Sequence, residues 1–153
     1  MHDVRPLPDR LSVGEGYRFE ELAVGMTAAF TKIITDADLV MFAGVSGDTN
    51  PVHFDEGFAR TTMFKGRIAH GMLTASLIST VLGTKLPGPG CIYLSQNIRF
   101  LAAVLIGDTV EARATVADIM VEKRRILMKT ACTVRGKPVI DGEALIWAPA
   151  RDA

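Results

Sequence analysis

What this 153-residue sequence lacks narrows its class first. Only two cysteines occur, Cys91 and Cys132, far apart and among apolar or small neighbours. Without a CxxC pair or the Cys/His spacing of a metal site, a disulfide framework and a zinc module drop out. Both thiols read as packing residues in a reducing compartment. Neither charge sign is in excess, since 17 Lys+Arg balance 17 Asp+Glu, so the positive field that nucleic acid or an anionic membrane would select is missing. The one basic run, Lys123-Arg124-Arg125, reads as a solvated turn. Nor is there a long apolar run: residues 72–82 are interrupted by Thr74, Ser76, Ser79 and Thr80, and fall short of the roughly 20 residues a membrane span needs.

No block of Pro, Gly or Ser marks a linker, and the 48% hydrophobic and 22% charged shares are those of a folded globular protein. The length suits one domain over residues 1–153, with roughly two thirds of the unfolded surface removed from water on folding. Residues 1–18 are rich in Pro, Asp and Arg and carry no apolar core. They are expected to form an irregular N-terminal extension rather than a secretory signal, which places the protein in the cytoplasm.

Residues 26–35 read as a first strand behind the turn at Gly25. Thr35 followed by Asp36 and Asp38 supplies a helix N-cap with acidic first-turn residues. Leu39, Val40, Phe42 and Ala43 give the apolar stripe, and Gly47 stops the helix after Ser46. Residues 48–53 then form a tight polar turn around Pro51. Asp55 caps a short helix through Arg60, and a loop with Gly66 as hinge leads on. Residues 71–85 carry apolar residues on every side with only small hydroxyls among them, the pattern of a helix buried all round. After the break at residues 86–90 come four β-type segments, 91–101, 109–121, 125–134 and 138–147, expected to form an antiparallel meander. The order is α+β, with a curved sheet wrapping an apolar helix.

The chemistry concentrates in Ser46-Gly47-Asp48-Thr49-Asn50-Pro51-Val52-His53-Phe54-Asp55, where carboxylates, an amide and an imidazole crowd a proline turn. In isolation, such a string is turn chemistry. Further along stands His70-Gly71-Met72, at the mouth of the apolar helix. There the free main-chain N–H groups and the positive end of the helix dipole can receive developing negative charge, and Gly71 has no side chain to block the approach.

These two segments, with Ile68-Ala69-His70-Gly71-Met72-Leu73 and Ser76, resemble the signature of the MaoC-like (R)-specific enoyl-CoA hydratases. Leu86-Pro87-Gly88-Pro89-Gly90, Tyr93-Leu94-Ser95-Gln96-Asn97-Ile98-Arg99-Phe100 and Gly107-Asp108-Thr109-Val110 are similar to later segments of that family. Only about the first twenty residues lie outside the resemblance. It implies a hot-dog fold, a five-stranded antiparallel sheet wrapped around a long central helix, with an inserted helical segment at about residues 36–67 over the active site. It also implies a homodimer whose sheets join.

Carried over by position, Asp48 and His53 match the catalytic pair, Asn50 the amide that orients the loop, and Gly71 the oxyanion amide. Ser76 matches a pocket serine, with His70 and Met72 beside it. The activity implied is hydration of an enoyl-CoA to the (R)-3-hydroxyacyl-CoA, with CoA as part of the substrate and no separate cofactor or metal. Which of Asp48 and His53 carries each proton stays open, with Asp48 as ionised base and His53 orienting water the preferred arrangement. Rival readings are a branched, dicarboxylic or carrier-protein-bound thioester as substrate, a thioesterase, or a thioester-binding module without chemistry. A metal site built from Asp48, His53, Asp55 and His70 matches no ligand spacing.

Overall fold

Alternation of apolar and polar residues drives the sheet. Along β3 (Thr109–Met120), Val110, Ala112, Ala114 and Val116 are buried while their neighbours are not. On β4 (Arg125–Val134) the buried set is Ile126, Met128, Thr130, Cys132 and Val134. β5 (Lys137–Trp147) adds Val139, Ile140, Ala144 and Ile146. In the computed structural model, which describes residues 15–151, these strands join β1 (Thr27–Ile33) and β2 (Ile92–Phe100) in one antiparallel sheet of order β1-β3-β4-β5-β2. Bulges at Tyr93/Ser95, Val116/Asp118 and Cys132/Thr133 bend the strands, and such irregularities add the twist a wrapped sheet needs.

The five strands and the central helix are those the hot-dog resemblance implies, but the four later strands are not one meander. β3, β4 and β5 follow each other as neighbours, whereas β2 pairs with β5 at the far edge. The β2–β5 pairing is tight at Gly142, opposite Ile98, where a Cβ would stand 2.0 Å from the Asn97 carbonyl oxygen. Only a glycine lets the two backbones approach so closely. The chain from β2 to β3 must therefore cross the mouth of the sheet, which brings Leu101, Ala102, Ala103 and Val104 over the cavity described below.

Helix α4 (Gly71–Thr84) buries Leu73, Thr74, Ala75, Leu77, Ile78, Val81 and Leu82 against this sheet. It is not buried all round: Met72, Ser76, Ser79 and Gly83 form an exposed stripe. The small hydroxyls tolerate this position because they bond within the helix, Ser76 Oγ donating to Leu73 O at 2.6 Å and Thr84 Oγ1 to Thr80 O at 2.6 Å. Residues 1–14 of the expected N-terminal extension lie outside the described residues. Tyr17, within the same expected stretch, is buried, and its N–H donates to Pro87 O at 2.7 Å. Cys132 is buried and Cys91 partly so, and both are free thiols. Burial pushes the Cys132 thiol up to about 12, which leaves it an inert packing group. The basic run sits at the β3–β4 turn, with Arg124 left-handed at φ 51° and its guanidinium 5.4 Å from the Trp147 ring centre.

Gly142→Ala is expected to pry β2 from β5 and to destabilise the protein by about 2–3 kcal/mol, an overpacking cost. Urea unfolding checks it, and an unchanged midpoint would show that the close approach is dispensable.

Candidate active site

Three short helices between β1 and α4 carry the polar groups. α1 (Asp36–Ser46) starts where its sequence dictates. The Thr35 hydroxyl accepts from Asp38 N–H at 3.2 Å, and the Asp38 carboxylate accepts from Thr35 N–H at 2.9 Å, a reciprocal cap. Gly47, at φ 78°, ends it. The next residues were expected to form a turn through His53, but Pro51–Phe54 closes into a one-turn helix, α2, because Pro51 at N1 is preset for helix and Asn50 Oδ1 caps Val52 N–H at 3.2 Å. Asp55 caps α3 (Glu56–Arg60).

Asp48 is thereby left exposed at the tip, its N–H donating to Ser46 Oγ and its Oδ1 accepting from Asn50 N–H. His53 is buried, and its Nδ1 lies 2.8 Å from Ile68 O. A carbonyl accepts only, so Nδ1 carries the proton and Nε2 is left to accept. Arg67 secures the same turn, its Nε donating to His53 O at 2.7 Å while its guanidinium pairs with Asp36.

His70, the N-cap residue of α4, is 1% exposed. Its ring stacks on His53 with centres 3.8 Å apart and planes inclined 28°, and Phe42 and Phe54 pack around it. Its Nε2 lies 3.0 Å from the main-chain oxygen of Asp48. Side-chain donor atoms of Asp48, His53 and His70 all fall within 4.8 Å of one another. The two imidazole planes stack nearly parallel, and each ring places one nitrogen on a main-chain carbonyl, His53 on Ile68 and His70 on Asp48, which leaves His53 Nε2 and His70 Nδ1 as the nitrogens able to accept.

A cavity of about 500 Å³ opens beside this cluster. Asp48, His70, Gly71, Met72 and Thr74 line it, with Ile68, Phe100, Leu101, Val104 and Ile140 among its apolar walls. Leu73 and Thr74 N–H return to His70 O, so the Gly71 and Met72 amides at the helix entrance have no backbone partner among the described residues. A Cβ on Gly71 would stand 2.6 Å from the Phe100 ring.

The structure thus brings Asp48, His70, Gly71 and Met72 to the cavity and sets His53 behind His70, outside the lining. Asn50 acts on the loop alone. Ser76 is exposed and does not reach the cavity; the lining takes Thr74 instead. Helical phase explains the difference, since three residues from Gly71 is about 60° from its direction and five is about 140°. The same phase in the sequence could have singled out Thr74, whereas nothing local announces Phe100 or Arg67.

Residues 19–137 match the family model described as MaoC like domain. The chain belongs to the MaoC-like family. It is 53% identical over 133 residues to an (R)-specific enoyl-CoA hydratase of Rhodospirillum rubrum, covering 87% of this chain and 92% of that one. To a 3-hydroxybutyryl-CoA dehydratase of Methylorubrum extorquens it is 49% identical over 134 residues, with 88% and 85% covered. The unliganded R-hydratase of Pseudomonas aeruginosa superposes with a TM-score of 0.84 at 47% identity, over 89% of this chain and 88% of that chain. The (R)-hydratase of Aeromonas caviae follows at 0.82 and 40%, over 85% and 99%. At these similarities the MaoC-like chain shares their hot-dog fold.

Burial holds the His53 imidazole below its ordinary 6.5; the Ile68 carbonyl opposes this, His70 reinforces it, and Asp48 opposes it. The unfolded chain then takes up this proton at higher pH than the folded one. The stability contributed by His53 is full above about 6.5 and declines as the pH falls through the folded value. An NMR titration of the His53 ring is expected to give a midpoint below 6.5, and a midpoint at or above it would contradict this environment.

Proposed function

We propose that this protein hydrates trans-2-enoyl-CoA to (R)-3-hydroxyacyl-CoA, and catalyses the reverse dehydration, with Asp48 and His53 as its acid–base pair. The observation that carries the reading is the meeting of a carboxylate, a fixed imidazole and two free main-chain N–H groups at the head of α4, beside an apolar cavity. The (R)-hydratase and dehydratase relatives support it.

In this scheme the thioester carbonyl sits on the Gly71 N–H, where enolate charge is stabilised more than the ground state. Asp48 and His53 Nε2 are both acceptors, so each takes one hydrogen of a single water and leaves an oxygen lone pair for C3. Asp48 removes the proton as the C3–O bond forms, and His53 orients the water, its ring immobilised by Ile68 and His70. The π electrons of C2=C3 move to the enolate oxygen, and collapse of the enolate takes up at C2 the proton that Asp48 removed from the water, which returns the carboxylate to its starting state. With both groups on one face of the alkene, addition is syn and the product (R). Water, substrate and these side chains balance every atom, so we assign no cofactor; CoA enters as part of the substrate.

We read CoA rather than a carrier protein as the thiol because the relatives at 53% and 49% identity bear CoA names, whereas the acyl-carrier-protein dehydratase of Arabidopsis thaliana is 33% identical. We also place a second copy against edge strand β2, since Ile92, Tyr93, Leu94 and Phe100 are 39–55% exposed there, alongside Met72 on α4. Among the described residues no helix is long and apolar enough to cross a membrane, and we place the activity in the cytoplasm.

Wild-type protein is expected to bleach the enoyl absorbance of crotonyl-CoA and to release the (R) alcohol, with chelator present. Asp48→Asn and His53→Gln are each expected to lower kcat about 100- to 10,000-fold while thermal unfolding stays cooperative. An (S) product, or near wild-type turnover by Asp48→Asn, would overturn the assignment. Free thiol release in place of hydration would mark a thioesterase.

A further inference from the structure

Two buried side-chain polar atoms lack a hydrogen-bond partner among the described residues, His70 Nδ1 and Thr74 Oγ1. Both residues are 1% exposed and both line the cavity. They sit one helical turn apart, tied by the Thr74 N–H to His70 O bond of 3.2 Å. Folded proteins rarely leave such atoms unpaired, because the lost hydration is not regained. Elsewhere on α4 the Ser76 and Thr84 hydroxyls satisfy themselves on helix carbonyls; Thr74, on the cavity side, does not.

The two orphans are complementary. With Nε2 donating to the Asp48 carbonyl, His70 Nδ1 is an acceptor, and the Thr74 hydroxyl donates or accepts. One hydroxyl oxygen near both atoms can donate to the ring and accept from Thr74. Apart from Asp48 and the Gly71 and Met72 N–H groups, the side chains that line the cavity with them are apolar.

We propose that His70 and Thr74 form a polar subsite in the floor of the cavity that holds one hydroxyl group, a water molecule in the free enzyme, and that Thr74 thereby restricts the acyl group to short chains. The inference rests on the reading of the cavity as an acyl-CoA site. Thr74 lies about 4.5 Å along the helix axis from Gly71, in the direction an acyl tail takes from a carbonyl held at the helix entrance. A four-carbon chain ends about level with Thr74 and leaves the bound water in place. Each further methylene covers the subsite, expels the water and strands both polar atoms. A site built to hydrogen-bond discriminates sharply against a group that cannot reciprocate.

The test compares wild type with Thr74→Val, Thr74→Ala and Thr74→Ser. Calorimetric binding of butyryl-CoA and octanoyl-CoA, which cannot be hydrated, is measured beside kcat/KM for crotonyl-CoA and trans-2-octenoyl-CoA. Thr74→Val is expected to shift both ratios toward the longer chain by about tenfold, with Thr74→Ala as the apolar replacement should the valine variant not fold. Thr74→Ser, which keeps the hydroxyl, is expected to hold the wild-type preference. A wild-type ratio in the valine or alanine variant would overturn the proposal. If the binding ratio shifts while wild type turns over neither enoyl-CoA, the hydratase reading fails and the subsite stands.

Discussion

The His70 ring occupies the joint between two parts of the chain that have no covalent reason to meet. It begins α4, the helix around which the sheet is wrapped, and it bonds the main-chain carbonyl of Asp48 in the inserted segment. Its face lies against His53. An exposed loop of four residues would otherwise sample many conformations, and each backbone residue held in one of them costs about 1–2 kcal/mol of entropy. Spending a buried donor on that loop, with Phe42 and Phe54 walling the ring, converts a mobile turn into a fixed one. The acid is thus held relative to the amides of α4 by the same residue that starts the helix.

Around this joint the remaining contacts act in parallel. Arg67 returns from the far end of the insert to hold the carbonyl of His53 and the start of α1, while Ile68 holds the ring itself. Because His53 is gripped on its Nδ1 edge and stacked on one face, only Nε2 is left to accept a hydrogen bond. Pre-positioning of this kind reduces the reorganisation required at the moment of reaction.

The parts of the molecule governed by near neighbours could be read directly from residues. Thr35 with Asp38 and Gly47 marked both ends of α1, and β-type composition between turn residues marked the strands. Where a side chain two residues away decides, as with Asn50 and Pro51 turning the expected loop into α2, the element type was missed by one helical turn. The place of β2 beside β5 brings Gly142 against Asn97 across 45 residues of chain, and no local pattern encodes such a partner. The motif resemblance carried Asp48, His53 and Gly71 to one neighbourhood, yet it assigned the pocket hydroxyl to Ser76. Phase along the helix gives that position to Thr74, because matching residue types across a family preserves identity more readily than direction. The apolar residues of α4 suggested burial on every side, although hydroxyls that bond their own helix leave one face open at little cost.

Phe100 stands at the end of edge strand β2 and lays its ring where any side chain on Gly71 would begin. The width of the cavity mouth is consequently set by an aromatic on the sheet rim rather than by the helix that supplies the amides. A methyl group at position 71 must displace the ring. Position 100 is open to variation, because shortening that side chain removes an obstacle without touching the main-chain donors. Sequence drift toward bulkier thioesters on this scaffold therefore has a route through the rim, with the reaction centre left as it is.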